Sequence, residues 1–442
     1  MTDAVVRLWG RDIGAVSWID DRALGVFQYD PVFAESAIEL APMMMPLRRD
    51  PYEFPALPKE SFRGLPGLLA DSLPDRFGNA LIDAWLVTQG RTAESFNPVE
   101  RLCYIGTRGM GALEFHPTIL RAPNRSRRLE IESLVDLAER VLNNRLGLTG
   151  TLGRKDDDRK TLEEILRVGT SAGGARAKAI LAWNETTGEF RSGQVKVEDG
   201  FTHWLMKFDG ISNNRDKELA DPQGYGRIEY AFSRLAADGG IDMTECRLHL
   251  EGGRAHFMTR RFDRTAKGNK LHMQSLAALR HFDFNAAGAY AYEQAIETIR
   301  LLGLPTADIE QQFRRAVFNA LARNQDDHVK NIAFLMNQRG EWRLSPAFDV
   351  SYSYNPSGAW TSRHQMTLNG KTDDFRLDDL LAFGAFCNLK KKAATEIIAQ
   401  IFEAVRKWPQ RAEEAEVPQQ MISDINAALR LGVLEQQAPA TP

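Results

Sequence analysis

Apolar and polar positions alternate at the start of the chain. Ala4-Val5-Val6-Arg7-Leu8-Trp9 and Gly14-Ala15-Val16-Ser17-Trp18 are short, rich in β-formers and bounded by turns, so they predict two strands. The period then lengthens. Leu65, Leu68 and Leu69 begin a helical spacing over Leu65–Leu86 that Pro74 interrupts. The string RAPNRSRR at 121–128 reads as a solvated linker, with a basic partner patch as the alternative. Leu134, Leu137 and Val141 form a helical stripe within Ile131–Leu146, and Leu162–Val168 reads as a short amphipathic helix. Strand patterns dominate from there to Asp263: Ala179–Trp183, His203–Phe208, and a hairpin over Leu248–Phe257 that turns at Gly252-Gly253. One helix, Arg227–Asp238, sits among them, with Ile228, Phe232 and Leu235 on one side.

From Ala291 the spacing is mostly helical, over Tyr292–Leu302, Asp308–Leu321, Asp378–Phe386 and Lys391–Val405. The exception is Asn331–Leu344, where two apolar runs flank Asn337-Gln338-Arg339-Gly340 as in a hairpin. There are no internal repeats and no low-complexity block. The predicted class is α+β: a mixed module (residues 1–122), a β-rich lobe with one helix (123–280), a helical lobe with an inserted hairpin (281–434), and a disordered tail (435–442).

Composition narrows the field. The chain has 442 residues, 56 Lys plus Arg against 59 Asp plus Glu, and 43% hydrophobic residues. That excludes global disorder and collagen-like sequence, and leaves ample material for a core. The three cysteines, Cys103, Cys246 and Cys387, are far apart and odd in number, which suits a reducing compartment. No stretch approaches ~18 uninterrupted apolar residues, and MTDAVVRLWGRD lacks a signal-peptide core, so no membrane association and a cytoplasmic location are expected. A net charge of −3 argues against nucleic-acid binding through bulk charge.

The densest chemistry lies in Asn324-Gln325-Asp326-Asp327-His328-Val329-Lys330-Asn331, between a helix and a strand. Loops on a rigid scaffold concentrate catalytic groups, although such a cluster also occurs as solvated surface. Asp326 and Asn331 are five positions apart, the spacing by which a protein kinase separates its base from a metal-binding amide. A hairpin follows, and then Leu344-Ser345-Pro346-Ala347-Phe348-Asp349-Val350, where Asp349 follows a strand as a kinase's second metal ligand does. Asn331 and Asp349 are hard oxygen donors suited to Mg²⁺.

Upstream, Gly169-Thr170-Ser171-Ala172-Gly173-Gly174-Ala175-Arg176-Ala177-Lys178 would let backbone N–H groups approach phosphates, or would serve simply as a flexible turn. Lys207 ends an apolar strand, and Glu229 opens the following helix as a partner for it; a strand-end lysine and a solvated glutamate are the plain alternatives. Arg260-Arg261-Phe262-Asp263-Arg264 closes the β-rich lobe, where a hinge would hold adenine through backbone groups and where a solvated linker is equally consistent. Five such features in kinase order point to an ATP–Mg²⁺ phosphotransferase.

With these residues in view, the chain resembles the HipA-like toxin kinases of bacterial toxin–antitoxin modules along nearly its whole length. Phe62–Asp75 and Tyr104–Leu113 resemble the family's N-terminal subdomain; the glycine loop, Thr259–Arg264, Asp326–Asn331 and Phe348-Asp349 resemble its kinase core. The resemblance implies a two-lobed kinase using ATP and Mg²⁺, with Asp326 as general base and Asn331 and Asp349 on the metal. Gly173, Gly174, Ala175, Arg176, Ala177 and Lys178 would cover the nucleotide, Lys207 would contact its α/β-phosphates, and His328, Lys330 and Phe348 would line its site beside Arg260, Arg261, Phe262 and Asp263. His328 could equally be a hydrogen-bonded brace of the loop. Ser171 aligns with a loop serine that relatives autophosphorylate, with Thr170 as a competing acceptor; relatives carry prolines near Ala172 and Ala177, so the loop here should be softer.

The implied partners are a helix-turn-helix antitoxin, DNA only through that antitoxin, and a protein substrate of translation such as an aminoacyl-tRNA synthetase. Two other readings remain open from sequence: a small-molecule or lipid kinase on the same scaffold, and an inactive kinase-like repressor subunit.

Overall fold

The computed structural model describes residues 2–119, 128–143, 165–166, 168–169, 176–194, 199–211 and 223–435. The expectations placed on 121–127, on most of the 162–168 helix, on the loop positions Thr170, Ser171, Gly173, Gly174 and Ala175, and on the tail from 436 lie outside the described residues.

The N-terminal module is built on an antiparallel sheet of β1 (Thr2–Leu8), β2 (Arg11–Ile19), β3 (Leu24–Tyr29) and β4 (Leu113–His116), in the order β3-β2-β1-β4. Alternation buries Ala4, Val6 and Leu8 of β1 against Val16, Phe27, Leu68 and Leu102. Pro74 splits the predicted helical region into Gly67–Ala70 and Arg76–Thr88, with Asp75 capping the second by accepting from the Gly78 amide at 2.6 Å.

The β-rich lobe is a five-stranded antiparallel sheet, β6-β5-β7-β9-β8, formed by β5 (Lys178–Asn184), β6 (Glu189–Ser192), β7 (Thr202–Lys207), β8 (Cys246–Glu251) and β9 (Arg254–Arg260). Its core is shared. Phe77, Leu81 and Leu86 from the N-terminal module pack with Leu134 and Val141 of helix Ile131–Asn143 and with Leu181, Trp204 and Met206 of the sheet.

The third core belongs to the helical lobe and gathers Phe313, Val317 and Leu321 of helix Thr306–Ala322 with Ile398 and Ile401 of helix Lys391–Val405. Two parts of the preceding region join it: Ile228, Phe232 and Leu235 of helix Tyr225–Asp238, and Leu276, Ala277 and Leu279. Helix Tyr225–Asp238 therefore leaves the β-rich sheet at β7 and buries its apolar stripe in the helical lobe. A small sheet, β10 (His272–Ser275), β12 (Ala333–Met336) and β13 (Trp342–Leu344), carries the inserted hairpin, with β11 (Tyr290–Ala291) paired to β14 (Met366–Thr367) nearby. Among the described residues, no helix is long and apolar enough to cross a membrane.

Candidate active site

Two lobes meet at a cluster of charges, and the local sequence explains how. Gly226 is needed where helix Tyr225–Asp238 begins, because a Cβ there would stand 2.1 Å from the Ala255 carbonyl oxygen of β9. The Asp209 carboxylate ties the same corner by accepting from Gly224 N at 2.9 Å and Ala255 N at 3.1 Å. Pressed onto the sheet, the helix brings Glu229, 1% exposed, to Lys207 at the end of β7, with Nζ to Oε1 at 2.5 Å. Lys207 Nζ also bonds Asp349 of the helical lobe. Burial works against the Lys207 ammonium, but Asp349 and Glu229 together raise its pKa above the ordinary value. Burial likewise pushes the Asp349 carboxyl up, yet the Lys207 and Lys178 charges override it and hold it at about 2. Asp349 has a left-handed backbone, φ 52°, the kind of strain that persists where the surroundings fix a side chain.

Lys178 opens β5 directly after the glycine loop and is 1% exposed. Its Nζ lies 3.0 Å from Oδ2 of Asp75, so the helix cap of the N-terminal module reaches the strand that carries the loop. A Cβ on Gly169, at the loop's start, would stand 2.7 Å from Leu81 Cδ1 of the same helix. Arg176 stacks over the Tyr225 ring at 3.7 Å, with Nη1 3.7 Å from Glu229 Oε2. Ala177 is buried, and its carbonyl accepts from Phe208 N at 3.0 Å.

On the helical side, Asn331 turns Nδ2 to the Asp326 carbonyl at 2.8 Å, which directs its amide oxygen the other way. Oδ1 of Asp326 accepts from the Trp360 indole at 2.7 Å and lies 4.0 Å from His328 Nε2. Lys330 Nζ sits 4.9 Å from the Phe284 ring centre. Asp327 is buried as a structural anchor, accepting from Tyr292 OH at 2.6 Å and Gln365 N at 2.8 Å and pairing with His364 Nδ1 at 2.7 Å. Burial would raise its pKa, and His364 with these donors lowers it instead. Two adjacent aspartates are thereby given different surroundings: one is half-buried beside a tryptophan and a histidine, the other is buried and locked by three partners. His328, Asn331 and Asp349 line one cavity with Asp327.

The string 260–264 divides. Phe262 packs its ring on Phe348 at 5.5 Å, joining the hinge to the Asp349 segment. The side chains of the other residues point elsewhere. Arg260, half-buried at the end of β9, pairs with Glu245 at 3.5 Å. Arg261 grips Asp263 with two hydrogen bonds, 2.8 and 2.6 Å, Arg264 adds a third at 2.8 Å, and Gly111 N donates to the same carboxylate at 2.7 Å. The Arg261 side chain thus braces Asp263, and Asp263 and Arg264 fasten the hinge to the N-terminal module. Burial opposes ionisation of Asp263, but Arg261 and Arg264 hold its pKa below the usual carboxylate range.

Asn331 and Asp349 offer one amide and one carboxylate oxygen, a donor set that fits Mg²⁺ sharing its remaining positions with phosphates and water. Among the described residues, no group of three or more His, Cys, Asp or Glu is arranged to hold a metal alone. Sequence reasoning did not single out Trp360, His364 or Gln365, which sit in a Ser-rich stretch with no spacing signal. Asp75 stood only within a longer similar string.

Comparisons with known proteins follow the same outline. Residues 170–408 match the HipA-like C-terminal domain, and residues 4–116 match the HipA N-terminal domain. A Sinorhizobium fredii protein named "Putative kinase Y4dM" is 28% identical over 214 residues, 44% of this chain and 50% of that one. A second from the same organism, "Putative kinase Y4mE", is 26% identical over 126 residues, 26% of this chain and 30% of that one. The chain thus spans half or less of the length of these curated relatives. The HipA chain of the Shewanella oneidensis HipA, HipB and operator DNA complex superposes with a TM-score of 0.67 at 17% identity, covering 98% of this chain and 96% of that one, which shows a shared fold.

Proposed function

The chain belongs to the HipA-like family, and from that premise we propose that it is an ATP- and Mg²⁺-dependent serine/threonine protein kinase, the toxin of a toxin–antitoxin module. One observation carries the reading: Lys207 bridges Glu229 of the β-rich lobe's helix and Asp349 of the helical lobe, and Asp349 lines one cavity with Asn331, the residue whose amide bonds the Asp326 carbonyl. A lysine so placed can neutralise phosphate charge, and a carboxylate so placed can take a metal ion. Bound Mg²⁺ would supply charge neutralisation on the phosphates, held by Asn331 and Asp349. Lys207, Lys178 and Arg176 would orient the polyphosphate. Asp326 would orient the acceptor hydroxyl and take its proton late, since phosphoryl transfer depends chiefly on positioning and charge stabilisation.

The finer assignments rest on the same premise. The acceptor is a serine or threonine of a translation protein, such as an aminoacyl-tRNA synthetase. Ser171 is the self-modification site; a phosphate there would add about −1.5 to −2 charge beside ATP and switch the enzyme off. A helix-turn-helix antitoxin binds the chain and brings it to DNA, as HipB accompanies HipA in the structural neighbour.

Purified full-length chain with γ-labelled ATP and Mg²⁺ should label protein bands in a cell extract. Asp326→Asn should lower that transfer at least ~100-fold, the usual contribution of a general base, while ATP binding changes little. Equal transfer by the variant would overturn the assignment of Asp326, and label in metabolites rather than proteins would overturn the protein-kinase reading.

A further inference from the structure

Between Asp349 and β14 the chain runs through Ser351–Gln365, and the end of that stretch is stapled to the catalytic loop by four contacts. Trp360 Nε1 donates to Asp326 Oδ1 at 2.7 Å, His364 Nδ1 pairs with Asp327 Oδ2 at 2.7 Å, Gln365 N donates to Asp327 Oδ1 at 2.8 Å, and Gln365 Nε2 reaches the Gln325 carbonyl at 3.3 Å. Gln365 Nε2 also donates to the Trp360 carbonyl at 2.5 Å, so the tryptophan's own backbone is fixed from the same anchor. The arrangement is directional. Asp327 is the buried foundation, Gln365 transmits its position, and Trp360 delivers one N–H to one oxygen of the next aspartate.

We propose that Trp360 is a positioning residue for the phosphoryl-transfer base: its indole N–H holds Oδ1 of Asp326 and with it the rotation at which the carboxylate meets the acceptor hydroxyl. This inference rests on the kinase reading above. An indole N–H donates and cannot accept, so it cannot compete for the acceptor's proton. A carboxylate free to rotate about its terminal bond would spend part of its time misaligned, and small misplacements of a reacting group are costly in rate. The step balances simply. The acceptor oxygen bonds the γ-phosphorus as the bond from that phosphorus to the β,γ-bridging oxygen breaks; ADP leaves with that electron pair; the hydroxyl proton passes to the Asp326 carboxylate. Trp360 is half-buried, and its indole stands beside the Asp326 carboxylate.

The test uses the full chain. Trp360→Phe keeps the ring's bulk and removes the donor. It should lower kcat for acceptor phosphorylation about tenfold, a loss of the size expected for a mispositioned base, and leave KM for ATP within twofold. A second measurement does not depend on turnover: in chain with ¹⁵N-labelled indoles, Asp326→Ala should shift one indole N–H resonance, the one missing from Trp360→Phe, or in its absence the one identified by Trp360→Tyr. An active wild type with unchanged kcat in Trp360→Phe, a loss carried wholly by KM for ATP, or an indole resonance indifferent to Asp326→Ala would overturn the positioning role and leave the kinase reading standing. A rise in kcat would overturn it too, marking the indole as a plug on the base. Absence of transfer by the wild-type chain on every acceptor would instead overturn the kinase reading on which the role rests.

Discussion

Glu229 carries two cations, Lys207 Nζ at 2.5 Å and Arg176 Nη1 at 3.7 Å, and is almost sealed from water. A buried carboxylate is tolerated only when paired, and here the pairing also controls where Lys207 goes. With Glu229 pulling from the β-rich lobe, the ammonium is shared with Asp349 rather than surrendered to it. Glu229→Gln keeps the shape and removes the pull. Lys207 should then settle on Asp349 and occupy the oxygens needed by a metal ion, so affinity for ATP with Mg²⁺ should weaken about tenfold, equal to ~1.4 kcal/mol. Calorimetric titration of the variant, alongside a thermal melt to confirm the fold, checks this. Unchanged affinity would mean that the helix glutamate is only a packing partner of Arg176.

At the scale of elements, the segment from β9 to β10 behaves as a bolt. Its Asp263 carboxylate is fully buried and receives Arg261, Arg264 and the Gly111 amide, while Arg264 also donates to the Gly111 carbonyl at 3.1 Å. Removing one charge from such a cluster strands the others, so Asp263→Asn should cost roughly 3–5 kcal/mol of stability at neutral pH. Because the folded-state pKa is depressed, this contribution is fully present above the unfolded value of ~3.9 and is lost as pH falls through the folded value. Urea melts of both proteins at pH 7 and below pH 4 should show the gap between them closing in acid.

This bolt also shows where sequence reading stopped. Periodic elements were legible from end to end: Lys391–Val405 is a helix over the residues its spacing marks, and the Gly252-Gly253 turn joins β8 to β9. Short strands such as β4 and β10, held by distant partners, left no period to read. Helix Pro98–Ile105 went unread although Asn97 and Glu100 form its capping box. In the hinge, charge was visible in the string, but the partner of Asp263 lies at Gly111, a separation no local pattern encodes. The Asp326–Asn331 spacing was legible because both ends serve one loop; Trp360 was not, because it approaches Asp326 from a different one.

Across the whole molecule, the N-terminal module is not an appendage. Its helix Arg76–Thr88 lies in the β-rich lobe's core, its Asp75 meets Lys178, and its Gly111 meets the hinge, so folding of the module and assembly of the site are coupled. The same interpenetration buries imidazoles at several junctions. His203 on β7, His256 on β9, His272 on β10 and His281 after helix Leu276–Arg280 all have pKa values pushed down to about 4, chiefly by burial. Each is kept neutral by the folded chain and accepts a proton near pH 6.5 when unfolded. Protons therefore favour the unfolded state between about pH 6.5 and 4, and stability should fall steadily as pH drops through that window. At pH 5 the fully buried His256 and His272 should each cost up to ~2 kcal/mol, from about 1.5 pH units at 1.36 kcal/mol per unit. Calorimetry from pH 7 to 5 should record one melting transition moving down for the whole chain, because the four residues span all the packed units. A His256→Gln, His272→Gln double variant should flatten that slope, and an unaltered slope would place the acid sensitivity in other groups.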